Sequence, residues 1–355
     1  MARATRALMV VLDGLRPDLV GPELTPTLAR LVAEGVWFER GHAVVPTVTR
    51  VNSATLATGT LPAIHGLPAN LLFAPDVDAA PLSLGEADTV PRLMGAYGVF
   101  GAPTLADIVA DAGGSTALVS SGTRGSALML DPRRAERGHL TLHPTLSTAD
   151  ELAQATDRVG PLPEAGVPDS DRNRWLTRAI VDWVVPELRP DLLMVWFNDP
   201  DKSQHRYGFG HPESLRAIRA GDADLALILD ALDEAGVREE TVVAVASDHG
   251  YASVRRHVDL AGRLSAAGLD RTGDGRPIVV AQNGCAVLVY APGGTDLEIA
   301  RIADTLLSYP EVDVLFSGGT GRPTIDGTFL LDRIGVGGPL APELLVTLAW
   351  DDEPN

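Results

Sequence analysis

The sequence predicts an α/β protein with a doubly wound, mostly parallel sheet, helices on both faces and a small α/β cap insertion. Three apolar runs predict the sheet: Ala7 to Leu12, Leu192 to Phe197 and Thr241 to Ala246. Parallel strands that are buried on both faces read as continuous apolar runs, and helical patterns separate these three along the chain. Such alternation is typical of βαβ units.

The first predicted helix begins at Pro26, with Thr25 as its N-cap, and ends near Gly35. Proline is favoured at the first helical position because its missing N–H group would have no partner there. A second helix is expected at Arg50 to Ala57, after a turn at Pro46. Both helices would follow the first strand in the order that a doubly wound fold requires.

The middle of the chain alternates predicted loops, helices and strands. Residues 60–100 are rich in proline, glycine and alanine and predict a long excursion over the surface, and residues 131–170 predict irregular structure. The remaining predicted core elements are a helix at Thr104 to Ala112, a strand at Ser115 to Ser120, and helices at Arg174 to Leu188 and Ser214 to Ala235.

A strand, a helix and a strand are predicted at Ala286 to Tyr290, Leu297 to Leu307 and Val312 to Phe316. We interpret residues 273–325 as a small inserted cap. Leu344 to Trp350 then predicts a strand that returns to the core, so that residues 1–272 and 326–355 would form the core.

Composition excludes several classes of function. The 355 residues carry a net charge of −18, which argues against a nucleic acid polymer or an anionic membrane as the partner. Cys285 is the only cysteine, so neither an intrachain disulfide nor a thiolate metal cluster is available. No signal peptide or apolar run long enough to span a membrane is present, and we expect a cytoplasmic protein.

Acidic motifs follow all three apolar runs. Asp13 follows the first run, Asp201 and His205 follow the second, and Asp248 and His249 follow the third. Ligands collect at the carboxyl ends of parallel strands, and acids gathered there with histidines indicate bound cations. Together the motifs predict a site for two divalent ions, and imidazole with carboxylates favours zinc, with manganese as the alternative.

Spacing supports a shared ion for the second motif. Asp201 and His205 are four residues apart, so that in a helical turn both side chains lie on one face. The segment from Pro46 to Asn52 supplies the hydroxyls of Thr47 and Thr49 and an amide.

These motifs together resemble the alkaline phosphatase superfamily, in particular its type I phosphodiesterase/nucleotide pyrophosphatase branch, which is close to phosphonoacetate hydrolase. Their order and spacing span about residues 8–251. The matching segments are Val11 to Asp18, Pro46 to Ser53, Thr58 to Gly66, Pro200 to Gly208 and Ser247 to Tyr251.

The resemblance implies a ligand set and a mechanism. One metal would be held by Asp13, Asp248, His249 and the hydroxyl of Thr49, and the other by Asp201, His205 and a third family ligand. Asn52 matches the family residue that contacts a non-bridging phosphoryl oxygen. The resemblance implies Thr49 as the nucleophile and a covalent phospho-threonine intermediate. Thr49 would begin a helix whose free N–H groups favour a phosphate, and a bound metal would activate its hydroxyl. Thr47 is the rival nucleophile, and Arg50 is a candidate for binding a substrate anion.

The third family ligand is a histidine followed by glycine near the C-terminus, and here the last histidine is His257. The chain therefore resembles a family member that lacks its C-terminal end or has an incomplete second metal site. His257 is a candidate substitute ligand. A missing neighbour of the strand at Leu344 to Trp350 would also leave an apolar edge, through which we expect a homodimer or aggregation.

We therefore expect a metal-dependent hydrolase of phosphoric esters that acts on a small anionic substrate, most naturally a phosphodiester or a nucleotide pyrophosphate. A phosphonate hydrolase or a phosphomonoesterase of the same superfamily is the alternative. An inactive member with one metal, which binds nucleotides or a protein, is the alternative from another class.

Overall fold

The computed structural model describes residues 5–86, 88–318 and 321–350. The strands are β1 Arg6–Leu12, β2 Leu71–Leu72, β3 Leu82–Ser83, β4 Thr116–Ser120, β5 Leu140–Leu142, β6 Leu192–Phe197, β7 Thr241–Ala246, β8 Val279–Asn283, β9 Ala286–Tyr290, β10 Val312–Ser317, β11 Phe329–Leu330 and β12 Leu344–Leu348.

The α-helices are α1 Pro26–Glu34, α2 Thr49–Thr58, α3 Pro62–His65, α4 Thr89–Tyr97, α5 Leu105–Asp111, α6 Arg124–Leu130, α7 Arg134–Arg137, α8 Ala149–Val159, α9 Ser170–Ala179, α10 Asp201–Tyr207, α11 Pro212–Glu234, α12 Leu260–Ala266 and α13 Asp296–Leu307. A π-helical segment, Ile180–Leu188, continues α9, and short 3-10 helices span Pro17–Leu19, Arg238–Glu240 and Leu331–Ile334.

Two compact units make up the chain: residues 5–42 with 103–253, and residues 43–102 with 254–350. In the first unit the strand order is β5-β4-β6-β1-β7, and all neighbouring strands are parallel. All six residues of β6 are buried, which explains its unbroken apolar run. The predicted parallel sheet flanked by helices is confirmed.

Long amphipathic helices build the core of the first unit. Trp175 on α9 and Ile180 on the π-helical segment are buried in the same apolar cluster as Leu225 on α11 and Val195 on β6. The helices predicted at Arg174 to Leu188 and Ser214 to Ala235 therefore exist, with boundaries shifted by a few residues.

Two segments are more ordered than we expected. Residues 60–100 contain α3, α4 and the β2–β3 hairpin, and Leu67, Leu84 and Leu93 are fully buried. Residues 131–170 contain α7, α8 and the edge strand β5. These elements are short, from two to eleven residues, so they give no clear periodicity in the sequence.

The second unit contains its own sheet, with the order β11-β10-β12-β9-β8. The prediction that Leu344 to Trp350 returns to the core sheet is wrong, because β12 pairs antiparallel with β9 and β10. An apolar run indicates a strand but not which distant strands it joins. Because β12 has neighbours on both sides, the expected exposed edge is also absent from this strand.

The observed units also differ from the predicted domain boundaries. Residues 254–272 and 326–350 belong with the segment predicted as a cap, and so do residues 43–102. The ends of the predicted core, residues 1–4 and 351–355, lie outside the described residues.

Candidate metal centre

Strands β1, β6 and β7 end at the same edge of the sheet, which brings the acidic motifs of the first unit together. Leu12 at the end of β1 is paired with Phe197 at the end of β6, and Val11 is paired with Ala246 at the end of β7. Asp13 follows β1, and its N–H group donates to Phe197 O at 3.0 Å. Asp201 begins α10, and its N–H group donates to Asp13 O at 2.8 Å.

Gly14 allows these segments to approach each other. It has a φ of +73°, and its N–H group donates to Asp248 Oδ1 at 3.1 Å. A Cβ atom at Gly14 would lie 3.0 Å from Asp201 Cβ. A side chain at this position would therefore both strain the backbone and displace Asp201.

Asp13, Asp201 and His249 each offer one ligand atom to a common point, and these atoms lie within 4.8 Å of one another. His249 Nε2 lies 3.5 Å from Asp13 Oδ1 and 3.3 Å from Asp248 Oδ2. Four of the predicted metal ligands therefore converge within the first unit. Asp201 shares a common point with Asp13 and His249, while Asp248 contacts the same cluster through His249.

Three carboxylate oxygens at this cluster are buried and have no hydrogen-bond partner: Asp13 Oδ1, Asp201 Oδ1 and Asp248 Oδ2. Buried polar atoms in folded proteins are almost always paired, and an unpaired one costs about 1–3 kcal/mol or more. The other oxygens are satisfied, since Trp196 Nε1 donates to Asp13 Oδ2 at 3.0 Å. Such orphaned oxygens fit the ligand set of a divalent cation.

A hydrogen bond of His249 orients its Nε2 atom towards the carboxylate cluster. Nδ1 lies 2.8 Å from Gly250 O and therefore carries the proton that it donates to this carbonyl. Nε2 then faces Asp13 and Asp248. A backbone carbonyl that fixes the tautomer in this way is common for histidines that bind metals.

Burial and mutual repulsion change the acidity of the cluster. Burial, together with the negative charges of Asp248 and Asp201, raises the pKa of Asp13 well above its usual value. Burial and the charge of Asp201 raise the pKa of Asp248 to about 7. Metal binding would favour the ionised carboxylates and release their protons.

His205 lies beside Asp201 on the same face of α10, as the four-residue spacing predicted. Its Nε2 is 3.3 Å from Asp201 Oδ1, and its Nδ1 is 3.4 Å from the hydroxyl of Tyr251. The adjacent carboxylate of Asp201 raises the pKa of His205. The His205 side chain is 69% exposed, so its imidazole ring faces solvent rather than the core.

Thr49 lies in the second unit, as the first residue of α2. The preceding residue, Val48, has an extended backbone, so the helix begins sharply at the predicted nucleophile. Asn70 Oδ1 accepts a hydrogen bond from the N–H group of Arg50 at 2.9 Å. Asn283 Oδ1 accepts from the N–H group of Asn70 and so holds it at this helix end.

Asn52 does not have the environment of a substrate ligand. It is 3% exposed, its Oδ1 accepts from Val44 N at 2.9 Å, and its Nδ2 donates to Val48 O at 3.0 Å. Its amide therefore ties the turn to α2 within the protein. Sequence reasoning missed Asn70, since a contact across 20 residues leaves no local pattern.

The two remaining candidates lie in the second unit. The guanidinium of Arg50 packs beside Gly85, where a Cβ atom would lie 3.2 Å from Nη2. His257 is exposed in an irregular segment before α12. Among the described residues, the group of ligands that shares a common point contains Asp13, Asp201 and His249 and does not extend to His257. A role for His257 as a substitute ligand stays a prediction.

Several solved structures share this fold. Phosphonoacetate hydrolase from Sinorhizobium meliloti, in complex with phosphonoformate, is 21% identical with a TM-score of 0.69, and the match covers 98% of this chain and 81% of that chain. Murine ectonucleotide pyrophosphatase/phosphodiesterase 5, an inactive variant in complex with AMP, is 18% identical with a TM-score of 0.62, covering 98% and 79% of the two chains. The human protein of the same name is 17% identical with a TM-score of 0.60, covering 97% and 78%.

No helix among the described residues is both long enough and apolar enough to cross a membrane. The sequence also matches a family model over residues 7–314, which is most of the chain. This span includes the metal cluster, Thr49 and Asn70. The chain belongs to the type I phosphodiesterase/nucleotide pyrophosphatase family.

Proposed function

We propose that this protein is a metal-dependent hydrolase that cleaves phosphodiester or nucleotide pyrophosphate bonds, with Thr49 as the nucleophile and two divalent metal ions. The observation that carries the proposal is the cluster of orphaned oxygens on Asp13, Asp201 and Asp248 beside Nε2 of His249. Zinc suits this mixed set of carboxylates and imidazole, and manganese is the alternative.

The ligands divide between two ions. Asp13, Asp248 and His249 would hold one ion together with the Thr49 hydroxyl, and Asp201 with His205 would hold the other. Bound divalent ions stabilise charge on the phosphoryl oxygens and lower the pKa of a coordinated hydroxyl. Trp196 orients Asp13, and the N–H group of Gly14 orients Asp248, so these carboxylates are positioned before any ion binds.

Thr49 would supply the nucleophile, and Asn70 would supply a hydrogen-bond donor. Thr49 begins a ten-residue helix, where exposed backbone N–H groups favour a phosphate. We assign to Asn70, in place of Asn52, the contact with a phosphoryl oxygen. Its Oδ1 is occupied by Arg50 N, which leaves its Nδ2 as the amide donor to a substrate oxygen.

Relatives suggest the class of substrate. One solved relative is in complex with AMP, and another is in complex with phosphonoformate. We place a phosphodiester or a nucleotide pyrophosphate first because the family is defined by these activities. A phosphonate hydrolase is the second candidate, favoured by the fold similarity to phosphonoacetate hydrolase. A cytoplasmic location is part of this proposal.

Hydrolysis of bis-(p-nitrophenyl) phosphate with added Zn²⁺ or Mn²⁺ tests the proposal. We expect metal-dependent turnover that Thr49→Ala abolishes. Thr47→Ala is the matched control, because Thr47 is an exposed threonine two residues earlier and should retain turnover. The same assay with phosphonoacetate and with a p-nitrophenyl monoester separates the alternatives.

Metal stoichiometry tests the inactive alternative. Residues 258–355 contain no histidine, so the second ion would have Asp201 and His205 as its only assigned protein ligands. About two ions per chain, by elemental analysis after dialysis, supports the enzyme. One ion and no turnover of diester, monoester or phosphonate by the folded protein would contradict the proposed function and support a binding protein.

A further inference from the structure

Lys202 is the only lysine of the chain, and it directly follows Asp201. Its Nζ lies 3.0 Å from Asp169 Oδ2. The Lys202 side chain is 31% exposed, whereas that of Asp169 is 1% exposed. The ion pair therefore joins the first turn of α10 to a carboxylate in the interior of the first unit.

Asp169 connects two segments through both of its oxygens. Asn198 Nδ2 donates to Oδ2 at 2.8 Å, and the N–H group of Gly166 donates to Oδ1 at 2.9 Å. The N–H group of Asp169 itself donates to Asp199 Oδ2 at 2.8 Å. Segment 166–169 is thus bound to the residues between β6 and α10.

Further contacts complete this connection. The N–H and hydroxyl groups of Ser203 both donate to Asp199 Oδ1. The hydroxyl of Tyr207 donates to Val167 O at 2.7 Å. These contacts therefore connect α10, which carries Asp201 and His205, to residues 167–169 and to Asp199.

Lys202 supplies the positive charge in this group of buried carboxylates. Asp169 and Asp199 are both buried and adjacent, and their charges repel each other. Among the described residues, Lys202 is the basic side chain that forms an ion pair with Asp169. Removing one partner of such a pair leaves an uncompensated buried charge, which a neighbouring segment can relieve only by moving.

We propose that Lys202 and Asp169 are positioning residues, which hold the start of α10 so that Asp201 and His205 present their ligand atoms to one metal ion. This inference rests on the proposed function. Lys202 and Asp169 bind no metal or substrate themselves. Their effect reaches the metal through the fixed backbone of residues 198–205.

Zinc affinity of the full chain is the first measurement, by competition with a chromophoric chelator after removal of bound metal. Partners that orient metal ligands typically contribute about 10–100-fold in affinity. We expect Lys202→Met and Asp169→Asn to weaken one of the two ions by about that factor, and Lys202→Arg, which keeps the charge, to recover most of the loss. Arg158→Met is the matched control, since it breaks the exposed ion pair with Glu187.

Chemical modification of the folded protein provides a second measurement that does not depend on folding of a variant. Because the chain has a single lysine, acetylation removes the charge at Lys202 and reductive methylation keeps it. We expect acetylation alone to weaken zinc binding. The Lys202→Arg protein has no lysine, so any change in its zinc binding after acetylation comes from the N-terminal amine.

Asp201→Asn separates failure of this inference from failure of the proposed function. If Asp201→Asn binds two zinc ions as the native protein does, the ligand assignment is wrong. If Asp201→Asn loses an ion while Lys202→Met, Asp169→Asn and the acetylated protein all keep native affinity, the positioning role is overturned. Loss of affinity in Lys202→Met that Lys202→Arg restores supports it.

Discussion

Two groups of buried acids lie at the carboxyl end of the same parallel sheet, and they differ in their hydrogen bonds. Asp13, Asp201 and Asp248 each have an oxygen with no partner. Asp169 and Asp199 have donors on all four oxygens. Burial does not distinguish the groups, since Asp248 and Asp169 are each 1% exposed.

This difference in hydrogen bonding distinguishes acids that stabilise the fold from acids that we propose to bind a ligand. When all acceptor sites of a buried carboxylate are filled, its hydrogen bonds within the protein offset the free energy of desolvation. One that keeps a bare, buried oxygen beside other acids destabilises the protein until a cation arrives. Functional sites commonly store such instability.

The largest expected effect comes from exchanging one acid of each group for its amide. Asp13→Asn removes a ligand and a repulsive charge, so we expect zinc affinity and diesterase turnover to fall by about 10³-fold or more. The metal-free variant should melt about 2–4 °C higher than the metal-free native protein. Zinc titration, turnover and thermal melting in the presence of a chelator measure all three.

Asp199→Asn is the counterpart, and its metal-free protein should melt lower, because an amide nitrogen cannot accept the hydrogen bonds from Asp169 N or Ser203. The two variants then move melting temperature in opposite directions. If both lowered it, the orphaned oxygens of the first group would not be a source of instability, and the comparison would fail.

A smaller effect is expected at His205. The Tyr251 hydroxyl lies 3.4 Å from Nδ1, and the two rings make an edge contact at 5.2 Å. Tyr251→Phe keeps the ring contact and removes the hydroxyl that lies within hydrogen-bond distance of Nδ1. We expect about a 10-fold loss of metal affinity and an altered tautomer ratio in the ¹⁵N spectrum of His205.

Tyr97→Phe is the control for this variant, since it removes a phenolic hydroxyl that accepts from Asp76 N in the other unit. Native zinc affinity in Tyr251→Phe, with an unchanged tautomer ratio, would show that His205 is oriented by Asp201 alone.

Local patterns predicted the elements of the core well. β6 and β7 have the boundaries that their apolar runs indicated, and Thr25 and Pro26 marked the start of α1. The acids at the strand ends could also be predicted, because parallel topology brings the carboxyl ends together. Each of these inferences depends on residues that are close in sequence or on a general rule of sheet geometry.

What could not be predicted depends on contacts between distant residues. β12 joins β9 and β10 across more than 25 residues, and no periodicity records that choice. Asn52 and Asn70 have the same side chain, and only their partners distinguish them. The buried amide of Asn52 accepts from Val44 N, whereas the amide of Asn70 accepts from Arg50 N at the start of α2. Lys202 directly follows Asp201, and no local pattern records that its partner is the distant Asp169.

The smallest effect is a dependence of metal-free stability on pH. The pKa of Asp248 is raised to about 7 by burial and by the charge of Asp201, against 3.8 for the ordinary group. Between these values the folded chain holds a proton that the unfolded chain has released. The free energy of unfolding therefore falls as the pH rises from about 4 to about 7. One proton corresponds to about 1.4 kcal/mol per pH unit, or roughly 1–3 °C in melting temperature for a chain of this size.

Urea unfolding between these pH values, with chelator and with excess zinc, measures this slope. Zinc should abolish or reverse it, because the bound ion keeps Asp248 ionised in the folded state. Asp248→Asn should reduce the slope in the metal-free protein and leave the part that Asp13 contributes, since the pKa of Asp13 is also raised. An Asp199→Asn protein should keep the response of the slope to zinc. An identical slope with and without zinc would mean that the carboxylates of the two groups respond alike to pH, and that the orphaned oxygens do not mark the metal site.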